Sequence, residues 1–331
     1  MSGLLSAKVD VNYVDTEPDG FNQDAQLFLS ALRVSRSELA SWYTNGESIP
    51  RSKLTIPNPI LYDKALCDFQ NPVQTLKETD AVLHSFGWGK PLASLRGAAL
   101  FSNCAAAASK WKSWQTANLL PSRPTQDFVE CLALKSAFNP ILFGVTQRLA
   151  ASLPLAKQLS GNTAAGGTTL PVNWNRQVSE PVLQMLWSQI ETQKENSERR
   201  REINRRYAEL LSAHQAFIQL PPLDQALSHY PIRVVGRDSL HRSLLQRGFF
   251  TSTRLFAKLL CDLVPQKVSK RTFPHARRLA AETLHLPLYP DLAAADQNKI
   301  AAAISVWCRQ QRKDESCYSI TTDVNSSTIP S

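Results

Sequence analysis

The sequence predicts an α/β protein in which a large α/β part is followed by a long helix and a small α+β part. Two short apolar runs, 60–63 and 81–86, each end in polar or glycine residues. Strands of this kind present functional groups at their carboxyl ends. Apolar residues at helical spacing then run from about 180 to 211, and a strand followed by a helix is predicted over 232–247. This order indicates a sheet domain, a linking helix and a smaller mixed domain.

The remaining elements are predicted from shorter signals. A strand over 8–14 and a helix over 23–32 are predicted near the N-terminus. An alanine-rich helix is predicted over 99–118, and the glycine- and threonine-rich segment 161–169 is typical of a loop. The last helix is predicted over 293–309.

Domain boundaries follow from these elements. We assign 1–180 to an incomplete large α/β domain, 181–212 to the linking helix, and 213–310 to the small α+β domain. The polar residues from 311 to 331 are predicted to form a disordered tail.

The composition is that of a globular protein with a net positive charge. Hydrophobic residues make up 43% of the 331 residues, and the formal net charge is +9. A basic balance is compatible with nucleic acid, an anionic membrane surface or a phosphate-bearing small molecule. The arginines of 199–206 alternate with Glu198 and Glu202, so we interpret this cluster as a solvated helix face rather than a nucleic-acid patch.

Cysteine spacing and hydropathy bear on the compartment. The six cysteines form no C-x-x-C pair, so we expect free thiols and neither a disulfide framework nor a metal site. No N-terminal signal pattern is evident, and no window approaches 18 consecutive apolar residues. The expected location is therefore the cytoplasm, without a membrane partner.

The segment around Lys90 is the candidate for covalent chemistry. A lysine in a tight glycine turn at a strand end can be held beside an electrophilic carbonyl and form a Schiff base with it. Ser85, five residues before it, can donate its hydroxyl to a phosphate. Asp63, at the end of a neighbouring strand, can hold a pyridinium nitrogen protonated.

These residues resemble the lysine motif of a known enzyme family. The pattern Ser-Phe-x-x-x-Lys over 85–90, followed by small residues, is similar to that of the DegT/DnrJ/EryC1/StrS aminotransferases. The run 60–65, Ile-Leu-Tyr-Asp-Lys-Ala, resembles the strand that ends in this family's aspartate. In the C-terminal third, Leu-His-Leu-Pro-Leu-Tyr-Pro over 284–290 resembles the family's closing segment, and 230–248 resembles its small-domain strand and helix.

The resemblance implies a fold type I pyridoxal-phosphate enzyme. Members of the family are homodimers that move an amino group from glutamate to a nucleotide-linked keto sugar for polysaccharide biosynthesis. By resemblance, Lys90 would be the catalytic Schiff-base lysine, Asp63 would pair with the pyridine nitrogen, and Ser85 would contact the phosphate. The family's Asn-x-Arg turn, whose asparagine reaches the partner subunit's cofactor phosphate, corresponds to Asn175 or Asn173, and we prefer Asn175. Lysine at position 90, where dehydratase relatives carry histidine, favours transamination over dehydration.

Several residues depart from the family pattern. Leu66 stands where the family usually has Gln or His, and Gly97-Ala98 stands where it has a glycine pair. A βαβ unit takes roughly 30 residues, so the chain before Lys90 holds only part of the family's seven-stranded sheet. The early segment that grips the phosphate, and the aromatic residue that stacks on the ring, have no visible counterpart. We expect an N-terminally shortened, partly degenerate member.

Three functions therefore remain open from the sequence. The first is a working aminotransferase. The second is an inactive remnant or fragment that acts as a dimerisation partner of an intact relative. The third is nucleic-acid binding through the arginine-rich helix 199–206.

Overall fold

The structure is a computed structural model, and it describes seven segments of the chain. They are 40–43, 60–64, 77–87, 89–137, 175–223, 225–253 and 273–324. Side chains are described in all of these except 40–43, 134–137 and 313–324. The strand expected over 8–14, the helix over 23–32, the loop over 161–169, and residues Leu66 and Asn173 lie outside the described residues.

The N-terminal part contains a four-stranded sheet. Its strands lie side by side in sequence order: β1 (Ala40–Tyr43), β2 (Ile60–Asp63), β3 (Ala81–Ser85) and β4 (Ala98–Ser102). The first three are parallel, and β4 runs antiparallel to β3. The two predicted apolar runs are therefore neighbouring parallel strands whose carboxyl ends meet at one edge.

Buried Asp80 fixes the start of this sheet. Its two carboxylate oxygens accept hydrogen bonds from the backbone N–H groups of Ile60 at 3.0 Å and Lys77 at 3.1 Å. At the end of the antiparallel strand, the Ser102 hydroxyl donates to the Asp80 carbonyl at 3.1 Å. One acidic side chain thus holds the beginnings of β2 and β3 in register.

The alanine-rich segment 99–118 is not one helix. Its first residues form β4, because their backbone pairs with β3, and helix α1 (Ala105–Asn118) begins only afterwards. The sulfur of Cys104 caps α1 by accepting the Ala107 N–H at 3.4 Å. Strand pairing here overrides the helical preference of alanine. A second helix, α2 (Pro124–Ala137), follows in a region where the sequence predicts no element.

The long helix predicted over 180–211 is two helices, α3 (Glu180–Ile190) and α4 (Gln193–Leu211). Thr192 interrupts them with φ −94° and ψ 1°. Its carbonyl accepts the Asn196 N–H at 2.9 Å, so it starts the second helix. The proposed linking segment 181–212 therefore contains one bend.

The C-terminal part is built on a three-stranded antiparallel sheet. Its strands lie in the order β5 (Ile218–Gln219), β6 (Tyr230–Val234) and β7 (Thr283–Leu286). Every residue of β6 and β7 is buried, so helices cover this sheet on both faces. The covering helices are α4 with α5 (Arg237–Gln246), α6 (Pro274–Glu282) and α7 (Ala294–Val324).

One apolar core unites the C-terminal part. The Tyr207 and Tyr230 rings lie 4.8 Å apart, which joins α4 to β6. The Trp307 indole N–H donates to the Ser239 hydroxyl at 3.2 Å, which joins α7 to α5. Its other large buried members come from all three strands and the helices around them: Ile203, Leu211, Ile218, Ile232, Leu240, Leu244, Leu284, Leu286 and Ile304.

The last helix is longer than predicted. It continues to Val324, through most of the segment that was expected to be a disordered tail from 311 onward. Neither Gly nor Pro occurs between Ala294 and Val324, so no residue with a strong helix-breaking preference stops it. Within the described residues, no helix combines the length and the apolar character needed to cross a bilayer.

Candidate functional site

The predicted cofactor residues Asp63 and Ser85 share one face and one edge of the N-terminal sheet. In the β2–β3 pair, Asp63 lies opposite Leu83, two residues before Ser85. Side chains two apart on a strand point to the same face. Asp63 and Ser85 are both half-buried, whereas Tyr62 and His84 on the opposite face are buried. The carboxylate and the hydroxyl therefore emerge together at the carboxyl edge of the sheet.

Lys90 lies at the same edge because of how the chain returns to the sheet. Ser85 is the Cα partner of Ala98, so the loop 86–97 leaves and re-enters at neighbouring positions. The Phe86 N–H donates to the Gly97 carbonyl at 2.9 Å, which closes the base of this loop. The topology thus brings Lys90 to the strand ends that carry Asp63 and Ser85. We call 86–97 the lysine loop.

The lysine loop has a defined conformation. The Lys90 N–H donates to the Gly87 carbonyl at 3.3 Å in a tight turn, and Gly89 has φ +68°, a region that favours glycine. Ser94 sits inside the loop, where its N–H and its hydroxyl are each 2.7 Å from the Phe86 carbonyl. The amine-bearing residue is therefore held on a folded turn.

Helix α3 contacts the second half of the lysine loop, at Leu92 and Ala93. The Gln189 side chain accepts the Ala93 N–H at 3.0 Å and donates to the Ala93 carbonyl at 2.7 Å, as a neighbouring strand would. Beside this pair, Leu92 packs with Val182 and Leu186 of the same helix. Gln189 was not among the predicted site residues. Its position seven residues after Val182, on the helix face that meets the loop, is the only signal the sequence carries.

His229, the residue directly before β6, lies beside the Gly89 end of the lysine loop. A Cβ atom added to Gly89 would lie 3.4 Å from Cε1 and 3.5 Å from Nε2 of His229, so the imidazole lies beside the turn that precedes Lys90. Burial, followed by the His285 ring and the charges of Arg200 and Lys90, lowers the pKa of His229 to about 3. The ring is therefore neutral near pH 7. His229 was not among the predicted site residues.

Ion pairs between Arg96 and acidic residues join the end of the lysine loop to the neighbouring helices. Arg96 lies 3.3 Å from Asp127 and also pairs with Glu130 on α2. Asp127 is buried and accepts the Ser179 hydroxyl at 2.5 Å, just before α3. This network joins the loop, α2 and α3.

Asn175 lies apart from the other three predicted cofactor residues. Its side-chain N–H donates to the Asn118 carbonyl at 2.6 Å, and its own carbonyl accepts the Leu120 N–H at 2.8 Å. The Arg176 guanidinium donates to the Pro121 carbonyl. Among the described residues, these contacts fix the Asn-Arg turn to the end of α1 and not to the lysine loop.

The arginine-rich helix is mostly a solvated, ion-paired face, as predicted. Glu198 pairs with Arg201 at 3.0 Å and Arg205 at 2.6 Å, and Arg199 pairs with Glu202 at 2.8 Å. Arg200 differs, because it is only 7% exposed. Its guanidinium donates to the carbonyls of Leu227 at 3.2 Å and Leu288 at 3.1 Å.

The described cysteines are unpaired thiols, which confirms the prediction for Cys104, Cys131 and Cys308. Burial raises the pKa of Cys308 to about 11, and burial with the nearby Asp127 and Glu130 raises the pKa of Cys131. Over the described residues, no group of three or more His, Cys, Asp or Glu side chains is arranged to hold a metal ion.

The site residues fit pyridoxal phosphate in their chemistry. A carboxylate and a hydroxyl lie on one face at one edge of the sheet, and the loop that carries the Lys90 amine starts from the same edge. These are the groups that the cofactor's ring nitrogen, phosphate and aldehyde require. The lysine loop is supported from α3 and from β6, so the amine can be held in one place.

Structural comparison gives the fold first. A DegT DnrJ EryC1 StrS aminotransferase from Brucella abortus is 19% identical, with a TM-score of 0.62 over 89% of this chain and 72% of that one. Bacillus subtilis NtdA with bound cofactor PMP is 16% identical, with a TM-score of 0.59 over 91% and 63%. DesI in the presence of its TDP-sugar product is 16% identical, with a TM-score of 0.63 over 92% and 71%. The chain has the fold of the type I pyridoxal-phosphate aminotransferases.

Sequence comparison then matches one part of the chain to a family. Residues 168–305 match the model of the DegT/DnrJ/EryC1/StrS aminotransferase family. This segment covers α3, α4 and nearly all of the C-terminal part, so the resemblance stated from the closing segment is confirmed there. No curated protein sequence matches the chain significantly.

Proposed function

We propose that this chain is a pyridoxal-phosphate-dependent aminotransferase of the nucleotide-sugar type. The observation that carries the proposal is the convergence of Asp63, Ser85 and the Lys90 loop at one edge of the parallel strands. Open α/β sheets bind ligands at this edge. The match of 168–305 to an aminotransferase family supports the same activity.

Each residue has a distinct role in this proposal. Lys90 would hold the cofactor as a Schiff base and, once released, would carry the proton between the substrate carbon that bears the amino group and the cofactor carbon that the lysine had held. Asp63 would pair with the ring nitrogen and keep it protonated, and Ser85 would donate a hydrogen bond to the phosphate. When bound, the cofactor supplies an electron sink that stabilises a carbanion beside the amino group.

The contacts that hold the lysine loop serve to orient Lys90. Gln189 holds Ala93, while the closed base of the loop holds Phe86 to Gly97. Lys90 lies between these two points. Placing an amine in a near-attack position removes much of the entropic cost of a bimolecular step.

The proposed amino acceptor is a nucleotide-linked keto sugar, and the proposed donor is glutamate. The structure of DesI with a TDP-sugar supports the first, since the two chains share a fold. The net charge of +9 is compatible with an acidic, phosphate-bearing substrate. The unpaired thiols of the described cysteines support a reducing compartment, and we propose the cytoplasm.

We further propose a homodimer. Leu183, Trp187 and Ile190 form an exposed apolar stripe on α3, beside exposed Phe128 and Leu132 of α2. Exposed apolar side chains grouped on neighbouring helices favour association. A second copy of this chain would cover it and would bring the partner's Asn175 toward the cofactor phosphate.

The test is cofactor attachment to Lys90. Purified chain mixed with pyridoxal phosphate is expected to develop a visible absorbance band, and glutamate is expected to bleach it. Borohydride reduction and peptide mass spectrometry should then place the cofactor on Lys90. Lys90→Ala is expected to lose both the band and turnover, because it lacks the attacking amine.

Lys299→Ala is the matched control. Lys299 is exposed and pairs with Asp296 on α7, away from the lysine loop, so its loss should leave the band intact. Turnover that survives Lys90→Ala would contradict the proposal. No band in any variant would favour the alternative, an inactive remnant that pairs with an intact relative.

A further inference from the structure

The contact between His229 and the lysine loop joins the C-terminal part to the candidate site. The His229 imidazole lies against Gly89, with Cε1 and Nε2 at 3.4 and 3.5 Å from the position of an added Cβ. Because Gly89 precedes Lys90 directly, the position of this ring limits where the turn that carries the lysine can lie. The proposed reaction gives this histidine no role.

The orientation of the ring is fixed by its own neighbours. Nδ1 of His229 is 3.1 Å from the Ser228 hydroxyl, and the ring lies edge-to-face on His285, with centroids 5.8 Å apart. His285 is 4% exposed, and its Nδ1 is 3.3 Å from the Ser252 carbonyl. The His229 ring therefore rests on a second buried ring that is itself held by the backbone.

Arg200 holds the backbone on both sides of this pair. Its guanidinium donates to the carbonyl of Leu227, two residues before His229, and to that of Leu288, three residues after His285. A buried guanidinium bound to two carbonyls is strongly oriented. Helix α4 thus fixes the segment that carries His229.

We propose that His229 is a positioning residue that holds the Gly89–Lys90 turn in place from the C-terminal part of the chain. Together with Gln189, which holds Ala93, it forms a two-sided clamp with Lys90 between the contacts. The inference deepens the proposed function, since its catalytic meaning depends on the role of Lys90. It does not require His229 to touch substrate.

The physical basis is the sensitivity of amine attack to geometry. A displacement of about 1 Å at a reacting group costs up to about a hundredfold in rate. The clamp acts through contact on a turn rather than through the amine itself, so we expect an effect of about tenfold on cofactor attachment.

The test compares three variants of one residue. His229→Gln can still reach the turn with its amide, His229→Asn retains only the side of the ring that faces Ser228, and His229→Ala retains neither. His214→Asn is the matched control, because His214 bonds Ser305 at 2.7 Å in another part of the fold. The readouts are the rate of pyridoxal-phosphate attachment to Lys90, backbone hydrogen exchange across 86–97 without cofactor, and the thermal midpoint.

The expected result is slower attachment and faster exchange in His229→Asn and His229→Ala, with His229→Gln close to the unchanged protein. Thermal midpoints within a few degrees would show that the effect is local. Equal attachment rates and equal exchange in all variants would overturn the inference. A loss in His214→Asn as large as that in His229→Ala would also overturn it.

Failure of the proposed function gives a different pattern. If the unchanged chain does not attach pyridoxal phosphate, the proposed function is wrong. The clamp can still be tested by backbone hydrogen exchange across 86–97 and by the rate of chemical acetylation of Lys90 relative to that of Lys299. A His229→Ala variant with unchanged loop exchange and an unchanged acetylation ratio would refute the clamp alone.

Discussion

At the residue scale, the candidate site divides into groups that local sequence can reveal and groups that only packing reveals. Asp63 and Ser85 end apolar runs, and strand periodicity places both on one face, so the sequence predicts them. His229 meets Gly89 only because β6 folds against the lysine loop. No local pattern around His229 indicates that contact.

Buried His285 predicts a loss of stability in acid. Burial lowers the pKa of His285 to about 4, against an unfolded value of about 6.5. Between these values the unfolded chain binds more protons than the folded chain, so stability is full above pH 6.5 and falls as the pH decreases toward 4. His285 alone contributes up to about 3 kcal/mol to this change. Urea unfolding midpoints at pH 7 and pH 4.5 would measure it.

His285→Asn provides the comparison. The Ser252 carbonyl can only accept, so Nδ1 of neutral His285 carries the proton, and an asparagine N–H can replace that donor without titrating. The variant should therefore lose less stability between pH 7 and pH 4.5 than the unchanged chain. An identical pH dependence in both proteins would contradict the assignment.

At the element scale, sequence patterns located most segments but misjudged their limits. Residues 99–102 were assigned to a helix because they include alanine, yet hydrogen bonds to β3 make them a strand. The helix over 180–211 is broken at Thr192, which is not a strong helix-breaking residue. The first error arises because strand pairing, rather than local preference, decides the conformation. At the second, the Thr192 hydroxyl donates to the Gln189 carbonyl at 3.3 Å and accepts from the Asn196 side chain at 3.1 Å, so the bend is held by local contacts.

Helix α3 has two apolar faces, and each makes a separate prediction. One face carries Gln189, whose amide both donates to and accepts from Ala93. Gln189→Glu keeps an acceptor but loses the donor, and Gln189→Met loses both at similar size. We expect the rate of backbone hydrogen exchange across 91–96 to rise from the unchanged chain to Gln189→Glu and again to Gln189→Met. The rate of cofactor attachment to Lys90 should fall in the same order.

Gln184→Met is the control for this series. Gln184 bonds Glu180 on an exposed part of the same helix at 3.2 Å, so its loss should leave the loop unchanged. If Gln189→Met left exchange across 91–96 as slow as in the unchanged chain, the Gln189 contact would not hold the loop.

At the scale of the whole molecule, the C-terminal part was the more predictable. Its strand, its helix with Gly248 and its closing segment lie close together in sequence and share one core. The N-terminal part depends on strands separated by long connections, and much of it lies outside the described residues. Its four-stranded order was therefore not predictable, although its functional edge was.

The second face of α3 predicts how copies of the chain associate. Trp187 is 68% exposed at the centre of the stripe formed with Leu183 and Ile190. If a homodimer buries this stripe, Trp187→Asp should weaken dimerisation by at least about tenfold, because central aromatic residues dominate such interfaces. Analytical ultracentrifugation over a concentration series would measure the shift.

Val235→Asp is the matched surface change. Val235 is also exposed but lies after β6, away from α3, so its replacement should leave the association constant unchanged. A monomeric unchanged chain, or a Trp187→Asp protein that dimerises normally, would show that the stripe serves another purpose.

The two-sided support of the lysine loop has a consequence for the order of events during synthesis. Gln189 and His229 are far from Lys90 in sequence, and such non-local contacts form late because long loops must close first. The strands that carry Asp63 and Ser85 leave the ribosome well before either partner. A nascent chain therefore completes the contacts that support its lysine loop only when β6 has been synthesised. Truncated products that end before it would carry the lysine motif without the support that orients it.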